Sequence, residues 1–151
     1  MKIRIASLSL GFNHWQERIA PTALDLQPET YSEIVDVDIK ATKSIGKIEV
    51  KVSCQTQGLF ICDRCGEPFK RNVGGEYEVI FIEREKPFPD EMPGDDLRSY
   101  LINQEELDIS TEIRDALILS VPMKILCQQD CRGLCPRCGA NLNFEPCHCQ
   151  T

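Results

Sequence analysis

Residues 35–54 read VDVDIKATKSIGKIEVKVSC. Val35, Val37, Ile39 and Ala41 alternate with Asp36, Asp38 and Lys40. Ile48, Val50, Val52 and Cys54 alternate with Lys47, Glu49, Lys51 and Ser53. A period of two places the apolar set on one face of a strand and the charged set on the other, so the stretch predicts two half-buried antiparallel strands. Lys43-Ser44-Ile45-Gly46 between them reads as the hairpin connection. Cys54 falls on the apolar face and reads as a core residue.

Outward from this hairpin the pattern weakens. Residues 2–10 alternate and read as a strand, and a short helical stretch is expected around Trp15–Ala20. Gly58–Ile61 reads as a third strand that runs into Cys62. After the bend allowed by Gly74 and Gly75, Tyr77, Val79 and Phe81 alternate with Glu76 and Glu78 in another strand. Residues 84–96 carry three prolines among acidic residues and read as an acidic loop. A short strand follows at Ser99–Ile102. The main helix is expected from Asp108 to Val121, with Asp108 or Ser110 at its N-terminus and Pro122 at its end. Ile109, Ile113, Ala116, Leu117 and Ser120 form its apolar stripe. The fold class is therefore α+β: a mostly antiparallel sheet packed by one main helix, followed by a cysteine-rich tail. The expected division is an α+β domain over 1–126 and a tail over 127–151.

Eight of the nine cysteines fall into four close pairs: Cys62/Cys65, Cys127/Cys131, Cys135/Cys138 and Cys147/Cys149. Pairs this local cannot staple a fold as disulfides, but each can aim two thiolates at one ion, and two pairs complete a tetrahedral zinc site. Two Zn²⁺ ions are expected. In CDRCGEPFKR, Gly66 permits the left-handed conformation such a turn uses, and Cys135-Pro-Arg-Cys138-Gly139 is a zinc-knuckle signature. The preferred grouping is Cys62, Cys65, Cys127 and Cys131 in site 1, with Cys135, Cys138, Cys147 and Cys149 in site 2. A rival grouping joins Cys62/Cys65 to Cys135/Cys138 as a ribbon. Loop entropy does not decide between them: lengthening a loop from fifteen to seventy residues costs only about 1.4 kcal/mol, against roughly 10–16 kcal/mol for a zinc site in a small peptide. His148 is an alternative ligand to a flanking cysteine, whereas His14 reads as structural.

The 151-residue chain has a net charge of -7, with thirteen acidic and four basic side chains in residues 76–115. This argues against a broad nonspecific nucleic-acid binder. Arg64, Lys70, Arg71, Lys124, Arg132 and Arg137 flank the knuckles and form a candidate RNA or partner contact. The acidic segment 76–115 offers a second route, by capture of a basic ribosomal protein. No run reaches the roughly 18 apolar residues of a membrane span and no signal peptide is legible, so a cytoplasmic, reducing location is expected, which favours metal over disulfide for the cysteines. A site saturated by cysteine leaves no position for a reacting water, and neither a nucleophile–base set nor a phosphate-cradling loop is present, so an enzyme is not expected.

Three features in order, the CDRCGEPF knuckle after a strand, the helix ending ALILSVP, and LCQQDCRGLCPRCGANLN with a final CHC, resemble the YceD family of large ribosomal RNA subunit accumulation proteins. The resemblance covers the chain from the strands near residue 31 to Cys149 and is closest to longer-tailed members. Shorter members lack the tail yet keep counterparts of Cys62, Cys65 and Cys131, with a histidine sometimes at the place of Cys127. This implies that the two sites can exist separately. It also implies a factor for accumulation of large-subunit (23S) rRNA and for ribosome assembly, with large-subunit rRNA, a ribosome precursor or a basic ribosomal protein as partner.

Overall fold

The computed structural model describes residues 1–86, 96–147 and 149. Most of the acidic loop read over 84–96, together with His148, lies outside the described residues. The strands are β1 (Lys2–Arg4), β2 (Gly11–Ile19), β3 (Val35–Ser44), β4 (Lys47–Ile61), β5 (Pro68–Arg84), β6 (Leu97–Leu101) and β7 (Glu106–Asp108), and the helix α1 spans Ser110–Ser120. The main sheet has the order β2-β3-β4-β5-β6, and β1 pairs with β7 in a separate two-stranded sheet. The first four strands of the main sheet form an antiparallel meander; β6 joins β5 in parallel. The expected α+β architecture, a mostly antiparallel sheet with one helix and a cysteine cluster in the C-terminal tail, is the one observed.

The register explains why alternation was a good guide. Ile39 sits opposite Val52 and Ala41 opposite Val50, while Val52 faces Tyr77 and Val50 faces Val79 across the next ladder. The inward residues from Val35 to Ala41 on β3 and from Ile48 to Phe60 on β4 are all buried. On the solvent face Lys51 bridges Glu76 and Glu78, each at 3.0 Å. Gly46, at φ 71°, closes the β3–β4 turn. α1 lies across β5 and β4 and buries Ile113, Ala116 and Leu117, with Ile109 buried just before it. Asp108 Oδ1 accepts the Ser110 N–H at 2.9 Å at the helix start. Gly75 makes this packing possible: a Cβ there would stand 2.1 Å from the Ala116 carbonyl oxygen.

Three local expectations are corrected. Trp15–Ala20 is not helical; residues 11–19 form edge strand β2, with Trp15 opposite Ile39. The partly buried Trp15 and Ile19 are four apart, a spacing compatible with a helix turn as well as with alternation. The strand read over 2–10 stops at Arg4 and belongs to the small sheet. Gly58–Ile61 is not a separate strand but the end of β4. The inward positions there are Thr56 and Gly58, which hide the pattern. Thr56 is buried and donates its hydroxyl to the Glu33 and Ile34 carbonyls at 3.2 and 3.1 Å.

One buried charge was not foreseen. Glu112 is 3% exposed, with Oε1 3.6 Å from Arg98 Nε and Oε2 without a hydrogen-bond partner among the described residues. Burial pushes its carboxyl above the usual range, against the pull of its own backbone amide and of Arg98, and with the push of Asp115 and Asp108. A raised pKa in the folded state means that the contribution of this group is full below the ordinary carboxylate pKa and is lost as pH rises through the raised value. Glu112→Gln is therefore expected to raise the thermal midpoint at pH 7, with the gain shrinking towards pH 4. A gain that grows on acidification would contradict this.

Candidate metal centres

β4 and β5 outrun the sheet. β3 pairs with β4 only as far as Gln55, whereas β4–β5 pairing continues to Ile61 opposite Pro68. Six further residues extend this hairpin by roughly 20 Å. Phe60 supports it, edge-on to Tyr31 at 6.2 Å and tilted against Phe69 at 6.5 Å. At the tip the Cys62 N–H donates to the Glu67 carbonyl at 2.9 Å, the Gly66 N–H to the Cys62 carbonyl at 2.9 Å, and Gly66 has φ 74°. The turn at Cys135 has the same construction: Cys135 N–H to Ala140 carbonyl at 2.8 Å, Gly139 N–H to Cys135 carbonyl at 2.9 Å, and Gly139 at φ 74°. The conformation needs a positive φ at the fifth residue, which is why glycine follows each Cys-x-x-Cys.

The chain leaving α1 docks on the first knuckle. Asp63 N–H donates to the Ile125 carbonyl at 2.8 Å, and Ile125 N–H returns to Asp63 Oδ2 at 2.6 Å. Leu126 and Phe69 pack against the buried Cys62, Cys65 and Cys131. The sulfurs of Cys62, Cys65, Cys127 and Cys131 thereby come within 4.8 Å of one another, as do those of Cys135, Cys138, Cys147 and Cys149. Cys62–Cys131 and Cys65–Cys127 are 3.8 Å apart. In the second group Cys135–Cys149 and Cys138–Cys147 are also 3.8 Å apart, and Cys135–Cys147 is 3.2 Å. All nine cysteines are free thiols. A tetrahedron with bonds of about 2.3 Å to sulfur has edges of about 3.8 Å, so both groups could hold a metal ion. Cys54 joins neither group. It is buried in the sheet, its thiol donating to the Gly75 carbonyl at 3.5 Å, and burial pushes its pKa up.

Electrostatics distinguish the sulfurs. Burial pushes the Cys62 thiol up, but the amides of Cys127, Cys65 and Arg64 and the Cys65 thiol outweigh it and bring it down to about 6. The amides of Cys138 and Arg137, with the Cys147 thiol, bring Cys135 down to about 6 against burial. Burial, then the neighbouring Cys131, Cys62 and Cys65, push Cys127 up to about 12. The Cys147 and Cys138 thiols, with burial, push Cys149 up to about 12. Cys62 and Cys135, the first cysteine of each knuckle, are thus ready thiolates, while Cys127 and Cys149 hold their protons more tightly.

The family model described as large ribosomal RNA subunit accumulation protein YceD matches residues 50–151. The chain belongs to the YceD family. The match begins within β4, so β1, β2 and β3 lie outside it, whereas both sulfur groups lie inside. Among curated relatives of this YceD chain is the large ribosomal RNA subunit accumulation protein YCED homolog 1, chloroplastic, of Zea mays, 29% identical over 82% of this chain and 50% of that protein. The Arabidopsis thaliana protein of the same name is 26% identical over 76% of this chain and 43% of its own length. An uncharacterized protein of Mycobacterium tuberculosis strain H37Rv is 27% identical over 85% of this chain and 61% of its length. The chain thus spans about half the length of the plant relatives. No solved structure matches it. Among the described residues no helix is long and apolar enough to cross a membrane.

The six basic candidates do not behave alike. Arg64 is engaged within the fold, Nη1 donating to the Cys131 carbonyl at 2.5 Å, and Lys70 pairs with Glu33 at 3.5 Å. Arg71, Lys124, Arg132 and Arg137 are exposed and form no ion pair among the described residues. His14 makes a surface pair with Asp38 at 2.7 Å. Sequence reasoning missed Asp63, Asn141 and Asn143, whose side chains tie the cysteine segments together. An Asn two residues from another Asn between cysteine pairs is a turn-forming signal that could have found the last two.

Proposed function

We propose that this YceD chain is a zinc-binding, non-catalytic factor that supports accumulation of large-subunit (23S) rRNA and ribosome assembly in the cytoplasm. The observation that carries the reading is the pair of four-sulfur groups within a match to a family described by rRNA accumulation. An all-thiolate donor set suits a soft or borderline ion such as Zn²⁺. Cys62, Cys65, Cys127 and Cys131 would hold one ion, and Cys135, Cys138, Cys147 and Cys149 the other. Four sulfurs close the coordination shell, so the ion would supply structure and leave no position at which water reacts. The first site would clamp the segment after α1 onto the β4–β5 tip, and the second would fold the rest of the tail over 127–151.

The partner surface in this reading is formed by Arg71, Lys124, Arg132 and Arg137, which are exposed and make no ion pair among the described residues. Four acids of the described part of segment 76–115 are engaged within the fold: Glu76 and Glu78 share Lys51, Glu106 meets Lys2 at 3.4 Å, and Glu112 is buried. Phosphate contacts of this kind position a protein on RNA and weaken with salt. Arg132→Glu with Arg137→Glu is expected to reduce co-purification of large-subunit rRNA at least about tenfold, since each reversal both removes an attraction and adds a repulsion. If the double variant retains rRNA while neutralising the acids at 90–96 abolishes capture of ribosomal proteins, the contact is with a basic protein instead.

A further inference from the structure

A short loop closed by the second sulfur group rests on the first, and one of its side chains reaches a first-group sulfur. Residues 139–146 lie between Cys138 and Cys147 of the second group. Their Asn143 Nδ2 donates to Cys131 Sγ of the first group at 3.4 Å and to Asn141 Oδ1 at 2.8 Å. The amide orientation is fixed by chemistry: Asn143 Oδ1 accepts the Arg132 N–H at 2.7 Å, and only an oxygen can do so. The nitrogen must then face the sulfur.

The rest of the loop is anchored to the same place. Leu142 N–H donates to the Gly133 carbonyl at 2.9 Å, and Asn141 Nδ2 reaches Glu67 Oε1 at 3.3 Å, beside the first knuckle. Gly133, at φ 75°, permits the contact, because a Cβ there would stand 2.9 Å from Arg64 Cγ and 3.0 Å from the Arg64 carbonyl. The loop is thus closed at its base by the second group and rests on the first.

We propose that Asn143 is a positioning residue for the first metal site, and that the second site acts as its latch. This rests on both groups holding Zn²⁺ as proposed above. A four-thiolate site carries excess negative charge, and an N–H aimed at one sulfur stabilises it in the metal-bound state. An ion in the second site holds Cys138 and Cys147 together, keeps the loop short and keeps the Asn143 amide on Cys131. Because such coupling is reciprocal, an ion in either site strengthens the hold on the other.

The test uses the full chain loaded with two Zn²⁺ and follows their release to an excess of a chromogenic chelator. Asn143→Ala removes both functions of the amide. Asn143→Asp keeps the acceptor for Arg132 but loses the donor to sulfur. Both variants are expected to lose the first-site ion about 10- to 100-fold faster, the usual range for an outer-shell partner, while still binding two ions with unchanged far-ultraviolet circular dichroism. With Co²⁺ as probe, the sulfur-to-metal charge-transfer band should move to longer wavelength in both. In a Cys147→Ser/Cys149→Ser background, first-site release should already be fast and Asn143→Ala should add little, the non-additivity expected of one shared pathway. Wild-type release rates and an unmoved band in either Asn143 variant would overturn the inference while leaving the metal sites intact. A wild-type chain that takes up no ion would overturn the metal reading itself, and the inference with it.

Discussion

Cys62→Ser is expected to leave the protein with one bound ion in place of two and to release the segment after α1 from the sheet. Cys62 is 2% exposed, is the thiol brought down to about 6, and lies 3.8 Å from Cys131 across the cluster. Serine removes a ready thiolate and puts a hydroxyl among sulfurs. The loss should be local: the β3–β4–β5 core and α1 are buried without help from the cluster, whereas beyond Val121 and Ile125, which pack on that core, the segment has only Leu126 packed against the cysteines. Amides such as those of Asp63 and Ile125, which bond each other's segment, should lose at least about 4 kcal/mol of protection against exchange, the scale that marks loss of a metal site. Cys54→Ala is the matched control. It removes a buried thiol from the sheet but should keep both ions, and a Cys54 variant that loses an ion would contradict the grouping.

The second large effect lies in the body of the fold. Gly75→Ala should destabilise the whole domain by about 3 kcal/mol, the top of the usual range for overpacking. The added methyl would meet a helix backbone carbonyl at 2.1 Å, with its carbon at 2.9 Å, and backbone cannot rotate aside as a side chain does. Relief requires α1 to lift from β5, uncovering Ala116 and Leu117, which are 3% and 0% exposed. A urea midpoint should fall with little change in slope, because the same surface is still exposed on unfolding. An unchanged midpoint would mean that α1 does not press on β5 as described. The metal content of this variant should remain at two, which separates the two effects.

How much of this was legible depended on whether one physical signal dominated. β3 and the first half of β4 were readable because every inward residue from Val35 to Ala41 and from Ile48 to Cys54 is apolar or thiol. Beyond Cys54 the next inward positions are Thr56 and Gly58, polar and small, so the apolar alternation stops although the ladder to β5 continues. β2 is an edge strand with partly buried Trp15 and Ile19 but exposed Phe12, so its sequence period carried little information. α1 was placed within a residue or two of its ends by its stripe and by Pro122. The pairing of strands β1 and β7, more than a hundred residues apart in the chain, has no local signature.

The cysteine pairs were legible because close spacing and a following glycine are local properties. Which pairs come together is not local. It follows from the length of the β4–β5 hairpin and from the path of the chain after α1, where Asp63 catches Ile125. Glu112 sits next to a helical apolar stripe that is complete without it, and its ion pair with Arg98, fourteen residues away in the chain, has no local signature.

The most direct test is metal analysis of the full chain prepared without chelator under reducing, anaerobic conditions, with X-ray absorption at the zinc edge. The expected result is two zinc ions per chain, each with four sulfur neighbours at about 2.3 Å, falling to one ion when residues 133–151 are removed. A metal-free protein with its thiols joined as disulfides, or an ion bound through nitrogen or oxygen with water beside it, would contradict it.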